Sequence, residues 1–165
     1  MAQRIDEAFL ELINQNLRIA HKICRVYFDT PNDRDDAFQE MMYQLWRSYP
    51  KFSGRSKFST WMYRVCLNTA LTYQGKVNRN QNQRLETSHQ IAEATDNVIE
   101  ENLDAMYKSI GTLSPLNKAI ILLYIDELSY EEIATITGIT KGNVSVRIVR
   151  IKKELEEKIS KILNT

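Results

Sequence analysis

Cysteine and histidine are nearly missing from this sequence, with two of each in 165 residues. That scarcity excludes most metal chemistry. Cys24 and Cys66 both fall in apolar helical patterns, which predicts buried free thiols rather than a disulfide. His21 and Cys24 form an H-x-x-C on one helix, but a structural zinc site takes a second pair of ligands and none follows. His89 lies in a polar stretch without a partner. Glycine and proline are also few, five and three. No G-x-G-x-x-G, G-x-x-x-x-G-K-[ST] or G-x-S-x-G is present, so no phosphate cradle or nucleophile elbow is encoded. Neither a metal nor a cofactor is expected, and no enzymatic activity. The longest wholly apolar run, Ala119 to Ile125, falls far short of the roughly 20 residues that cross a bilayer. The N-terminus reads as an amphipathic helix without a secretory signal, so membrane insertion is not expected and the cytoplasm is the expected compartment.

A more local absence carries more information. From Gln44 to Leu85 there is no aspartate or glutamate, although the whole chain has a net charge of only +1. The stretch holds Arg47, Lys51, Arg55, Lys57, Arg64, Lys76, Arg79 and Arg84, interleaved with Trp46, Tyr49, Phe52, Phe58, Trp61, Tyr63 and Tyr73. Cations beside flat aromatic faces suit a nucleic acid with unstacked bases. The plainer alternative is that the rings are helix core and the cations a solvated face.

What is present reads as all-α. Ile5, Phe9, Leu12 and Ile13, then Leu17, Ile19, Ala20, Ile23, Cys24 and Tyr27, follow the helical period, as two helices or one broken around Asn14 to Asn16. Thr30-Pro31-Asn32-Asp33 is expected to be a stop followed by a start, with Pro31 ending what precedes it and Asp33, Asp35 and Asp36 favouring the positive end of a new helix. The next helix, about Arg34 to Ser48, buries Ala37, Met41 and Leu45 and leaves Asp35, Asp36, Gln39, Glu40, Tyr43 and Gln44 outside. Tyr49 to Ser59 is a basic, aromatic loop. Ser59 or Thr60 caps a helix that sets Arg64, Asn68 and Thr72 on one side, four residues apart. Periodicity fails from Gly75 to about Asn97, which predicts a flexible linker. The expected organisation is two small helical domains, 1–76 and 98–165, joined by a linker at 77–97, consistent with a domain minimum of about 50 residues.

In the second domain a helix carrying Val98, Leu103, Met106, Tyr107 and Ile110 is expected to end on Gly111 as a C-cap. Ser114-Pro115 opens an apolar helix through Asp126. Ser129 starts a capping box with Glu132. Tyr130 to Arg150 is the sharpest motif: Ala134 is small where two helices cross, Gly138 sits at the turn, and Ile133, Ile139, Val144 and Ile148 lock the pair. This is a helix-turn-helix pattern, capped at its second helix by Thr140. Lys141, Asn143, Ser145, Arg147 and Arg150 are its candidates for contact with DNA bases and phosphates.

Taken in order, these parts resemble the bacterial sigma factors of the extracytoplasmic-function group. Asp35 through Trp46 is similar to that family's acidic region 2.2, Phe58 through Ala70 to regions 2.3 and 2.4, and Leu128 through Ala134 with Asn143 through Arg147 to region 4.2. The resemblance implies a two-domain helical protein that binds core RNA polymerase, recognises two promoter elements, and helps open the duplex. By it, Asp36, Gln39, Glu40 and Trp46 match the polymerase-docking face. Lys51, Arg55, Lys57, Trp61, Arg64 and Asn68 match the reader of the melted minus-ten strand. Lys141, Asn143, Ser145, Arg147 and Arg150 match the reader of the minus-thirty-five duplex. The family usually has threonine at Asn143, a basic residue at Ser145, and more arginine near Asn117-Lys118. Many members are held inactive by an anti-sigma factor, which makes one a further candidate partner. Two alternatives remain at this level: a stand-alone helix-turn-helix regulator whose first domain dimerises or senses, and an interaction protein whose helical hairpin is mere packing.

Overall fold

Helix caps decide where most elements begin. In a computed structural model that describes residues 6–81 and 98–164, α1 spans Glu7–Tyr27 behind an Asp6 cap. It runs unbroken through Asn14 to Asn16. Asn16 donates its side-chain amide to the Leu12 carbonyl one turn back at 2.8 Å, so the polar cluster is accommodated inside the helix rather than ending it. Helix α2, Pro31–Ser48, starts ahead of the expected Arg34. Thr30 accepts from the Asp33 N–H at 3.1 Å, and Pro31 fills the first turn, where no N–H is needed. Pro31 thus opens a helix instead of only closing one.

A single 3-10 turn, Tyr49–Lys51, and an exposed loop lead into α3, Phe58–Gln81. The expected loss of order at Gly75 does not occur there. Lysine, arginine and glutamine carry no apolar period yet are good helix formers, so the helix outlasts its hydrophobic pattern. The rest of the predicted linker, 82–97, lies outside the described residues. The second half consists of α4, Val98–Gly111, α5, Pro115–Ile125, α6, Tyr130–Thr137, and α7, Lys141–Leu163. No strand occurs among the described residues. Gly111 does end α4, but not as a left-handed cap, since it has no positive φ. A Cβ there would stand 3.5 Å from the Val26 carbonyl, which places this glycine where α4 meets α1.

Helices α1 to α3 bury Ile23, Met41, Leu45, Met62, Tyr63 and Cys66, all within 1% of complete burial. Cys24 donates to the Met41 sulfur at 3.7 Å, and burial pushes its thiol up to about 11. Burial raises Cys66 as well, so neither thiol is a nucleophile near neutral pH. Helices α4 to α7 close around Ile110, Ile120, Leu123, Ile133, Ile148 and Ile151.

The two halves dock along α1, which the sequence did not disclose. Lys22 pairs with Asp126, and the Tyr63 hydroxyl donates to the same carboxylate. Arg25 pairs with Asp104 and lies over the Tyr107 ring at 4.4 Å. The Tyr27 hydroxyl donates to the Pro115 carbonyl at 2.7 Å, and the ammonium of Lys118 sits 5.1 Å from the Tyr27 ring. Burial lowers the Lys118 pKa while Asp29 opposes the shift.

Candidate nucleic-acid and protein interfaces

Full burial of Ala37, Met41 and Leu45 fixes the rotation of α2. Asp36, Gln39, Tyr43 and Trp46 then share one exposed stripe at i, i+3, i+7 and i+10. Tyr43 is 50% and Trp46 38% exposed, with ring centroids 6.3 Å apart. Two large rings left in solvent beside acidic groups form a surface suited to a basic protein partner. Tyr43 is the member that the sequence-predicted set leaves out. Its spacing from Gln39 and Trp46 is the signal that would have found it. Glu40 is only half-exposed and borders α3 instead, and it accepts at 2.9 Å from the amide of Gln44, one turn further along α2.

The loop after α2 exposes Lys51, Arg55 and Lys57 around Gly54, whose φ of +75° is a left-handed turn. Trp61 is not a free stacking platform. It is half-buried among Tyr49, Phe52 and Phe58, at 6.3, 5.2 and 5.3 Å between ring centroids. This cluster anchors both ends of the basic loop. On α3, Arg64, Asn68, Thr72 and Lys76 are exposed along one face. Asn68, Thr72 and Lys76, with Glu40, Gln44, Thr69 and Tyr73, line an open hollow of about 230 Å³. Tyr73 there has its pKa raised by burial and then by the carboxylates of Asp36 and Asp33. Arg64 donates to the Thr135 carbonyl of α6 at 3.4 Å, so the docked second half covers part of this face.

In the helix-turn-helix, Ser129 accepts from the Glu132 N–H at 3.1 Å and Thr140 from the Asn143 N–H at 3.2 Å. Gly138 ends α6 at φ 77°, with its N–H on the Ala134 carbonyl. Nothing lies within 4 Å of where its Cβ would be, so the whole demand is on the backbone. Gly138→Ala is therefore expected to destabilise the fold by about 1 kcal/mol, read as a lower midpoint in urea unfolding with an unchanged slope.

The five predicted readers of α7 do not form one cluster. Asn143, Arg147 and Arg150 meet Asn117, Val146 and Glu154 around an open hollow of about 360 Å³. Lys141 instead pairs with Glu131 at 3.3 Å, and Ser145 is half-buried on the other flank. Arg147 donates to the Asn117 side-chain oxygen at 3.0 Å, which fixes its guanidinium against α5. Sequence reasoning missed Asn117 as a partner, because a contact across 30 positions leaves no periodic trace.

Two family models cover these two halves: Sigma-70 region 2 matches residues 12–80, and Sigma-70 region 4 matches 103–155. The ECF RNA polymerase sigma-E factor of Haemophilus influenzae is 30% identical over 189 aligned positions, covering 99% of this chain and 100% of that protein. The chain belongs to the ECF RNA polymerase sigma factors. The sigma-E factor of Escherichia coli K12 is also 30% identical, over 89% of this chain and 85% of its own. Among solved structures, the sigma factor RpoE of Bartonella quintana, in complex with the anti-sigma factor NepR, shares the fold at a TM-score of 0.74 and 20% identity. That likeness covers 94% of this chain and 98% of the other. CnrH, solved with the cytosolic domain of CnrY, follows at a TM-score of 0.64 and 20% identity, over 93% and 88%.

As a member of this family, the protein is a sigma factor that directs RNA polymerase to promoters, with core polymerase and promoter DNA as partners. The region 2 match across α1 to α3 sets aside the stand-alone regulator, in which that half would dimerise or sense. Among the described residues no helix is long and apolar enough to cross a membrane.

Proposed function

We propose a division of labour within this sigma factor. The α2 stripe of Asp36, Gln39, Tyr43 and Trp46, with Glu40 at its edge, docks on core polymerase. Lys51, Arg55, Lys57, Arg64 and Asn68 grip and read the melted minus-ten strand, and Trp61 braces their loop. Asn143, Arg147 and Arg150 read the minus-thirty-five duplex, with Lys141 and Ser145 at its margins. The boundaries are those of the two halves, 1–76 and 98–165. The protein works in the cytoplasm without catalysing a reaction of its own. Control by an anti-sigma factor belongs to this reading, supported by the fold shared with a sigma factor captured with one.

One observation carries the proposal: charge is segregated between adjacent helices. The exposed stripe of α2 offers carboxylate and rings, while the following loop and α3 contain no acidic residue. A surface so divided meets a basic protein on one side and a polyanion on the other. The test is transcription in vitro with purified core polymerase on a promoter library, comparing the natural chain with Asn68→Ala. Asn68→Ala is expected to relax the minus-ten preference while core affinity is retained. An equal fall on every promoter variant would refute the base-reading role.

A further inference from the structure

Resting on the reading of α7 as the minus-thirty-five reader, we propose that Val146 determines specificity there by packing its methyl groups on the 5-methyl of a thymine in the major groove. Helix α7 buries Val144, Ile148, Ile151 and Leu155. The side turned away from them is the strip Gly142, Val146, Val149 and Lys153, all exposed. Val146 is 49% and Val149 68% exposed, so two branched apolar side chains stand in solvent where a merely solvated face would be polar. Valine is also a poor helix former, so local helix stability does not account for it.

Its surroundings say what it would meet. The residues that line the hollow with it are Asn117, Asn143, Arg147, Arg150 and Glu154, so Val146 is the one apolar member of a polar set in which two arginines outweigh one carboxylate. Such a set complements the negative duplex and no apolar protein groove. Asn117 holds Arg147 toward α5, and the exposed Val146 lies between Asn143 and Arg150 along the helix, three and four residues from them. Amide and guanidinium groups read adenine and guanine edges by paired hydrogen bonds. The apolar feature that a base pair offers in the major groove is the thymine methyl. Gly142, one turn earlier on the same strip, adds no side chain to hold the helix away.

The test removes that methyl and nothing else. Holoenzyme assembled from core polymerase and the full chain would be bound to duplex promoters carrying the preferred upstream element, with each thymine replaced in turn by deoxyuridine. One replacement is expected to weaken the natural chain about fourfold, the worth of a single buried carbon, and to leave Val146→Ala unaffected. Val146→Thr, which keeps one methyl on the branch, should retain most of the sensitivity. The inference is overturned if no deoxyuridine matters, if Val146→Ala responds as the natural chain does, or if the preferred element contains no A·T pair. It is also overturned if Val146→Ala weakens affinity for core alone, which would make the valine strip a protein-docking surface. A holoenzyme without any upstream preference would instead refute the reading of α7 itself, and the inference with it.

Discussion

Reversal of charge at one exposed position, Asp36→Arg, is expected to lower affinity for core polymerase by about 2 kcal/mol or more, roughly thirtyfold. Asp36 lies on the exposed stripe of α2, beside fully buried Ala37. The substitution therefore leaves the core untouched and should not change the unfolding free energy measured in urea by more than about 0.5 kcal/mol. Its carboxylate also helps to raise the Tyr73 pKa, a coupling that the substitution removes. Glu40→Arg should act in the same direction, since it reverses charge on the edge of the same surface. Titration of labelled sigma against purified core polymerase measures both variants. Unchanged affinity in both would remove the docking role from α2.

The second large effect concerns the seam between the halves. Asp126 takes a lysine and a tyrosine hydroxyl at once, and the side chains of the Lys22–Asp126 pair are only 12% and 17% exposed. Removing the carboxylate strands an ammonium and a hydroxyl where water is scarce. Asp126→Ala should therefore weaken docking by about 2 to 3 kcal/mol, while the helical content of both halves persists. Small-angle scattering would show a larger radius of gyration, and a cycle with Lys22→Ala should reveal coupling between the two sites. An unchanged radius would mean that the remaining contacts, Arg25 with Asp104 and Tyr27 with Pro115, suffice to hold the halves together. In the docked arrangement Arg64 is committed to the Thr135 carbonyl. The same variant is thus expected to free a cation of the proposed minus-ten face.

Much of the candidate site was legible because it depends on neighbours within a turn or two. The caps at Ser114, Ser129 and Thr140 were readable, since a capping oxygen needs only the N–H three residues on. Gly138 was readable because its left-handed turn is a local demand. The α2 stripe followed from the burial of Ala37, Met41 and Leu45 at helical spacing. Polar helix ends were less legible. Pro31 and the stretch from Gly75 to Gln81 joined helices for reasons of capping and backbone hydrogen bonding that apolar period does not record.

By itself the sequence determined the all-α class, the helix-turn-helix, the acid-free face and the two-part order, because each is written in short-range periodicity, composition or capping. Only the tertiary structure decided which side chains lie together. It placed Trp61 in a ring cluster, tied Lys141 to Glu131, set Arg147 against Asn117, left Val146 exposed on the hollow beside Asn143 and Arg150, and brought Asp126 onto α1. The physical reason is common to all five. A side chain's neighbours are set by how helices far apart in the chain rotate and pack to bury their apolar faces, and the sequence period fixes each face without naming the face it meets.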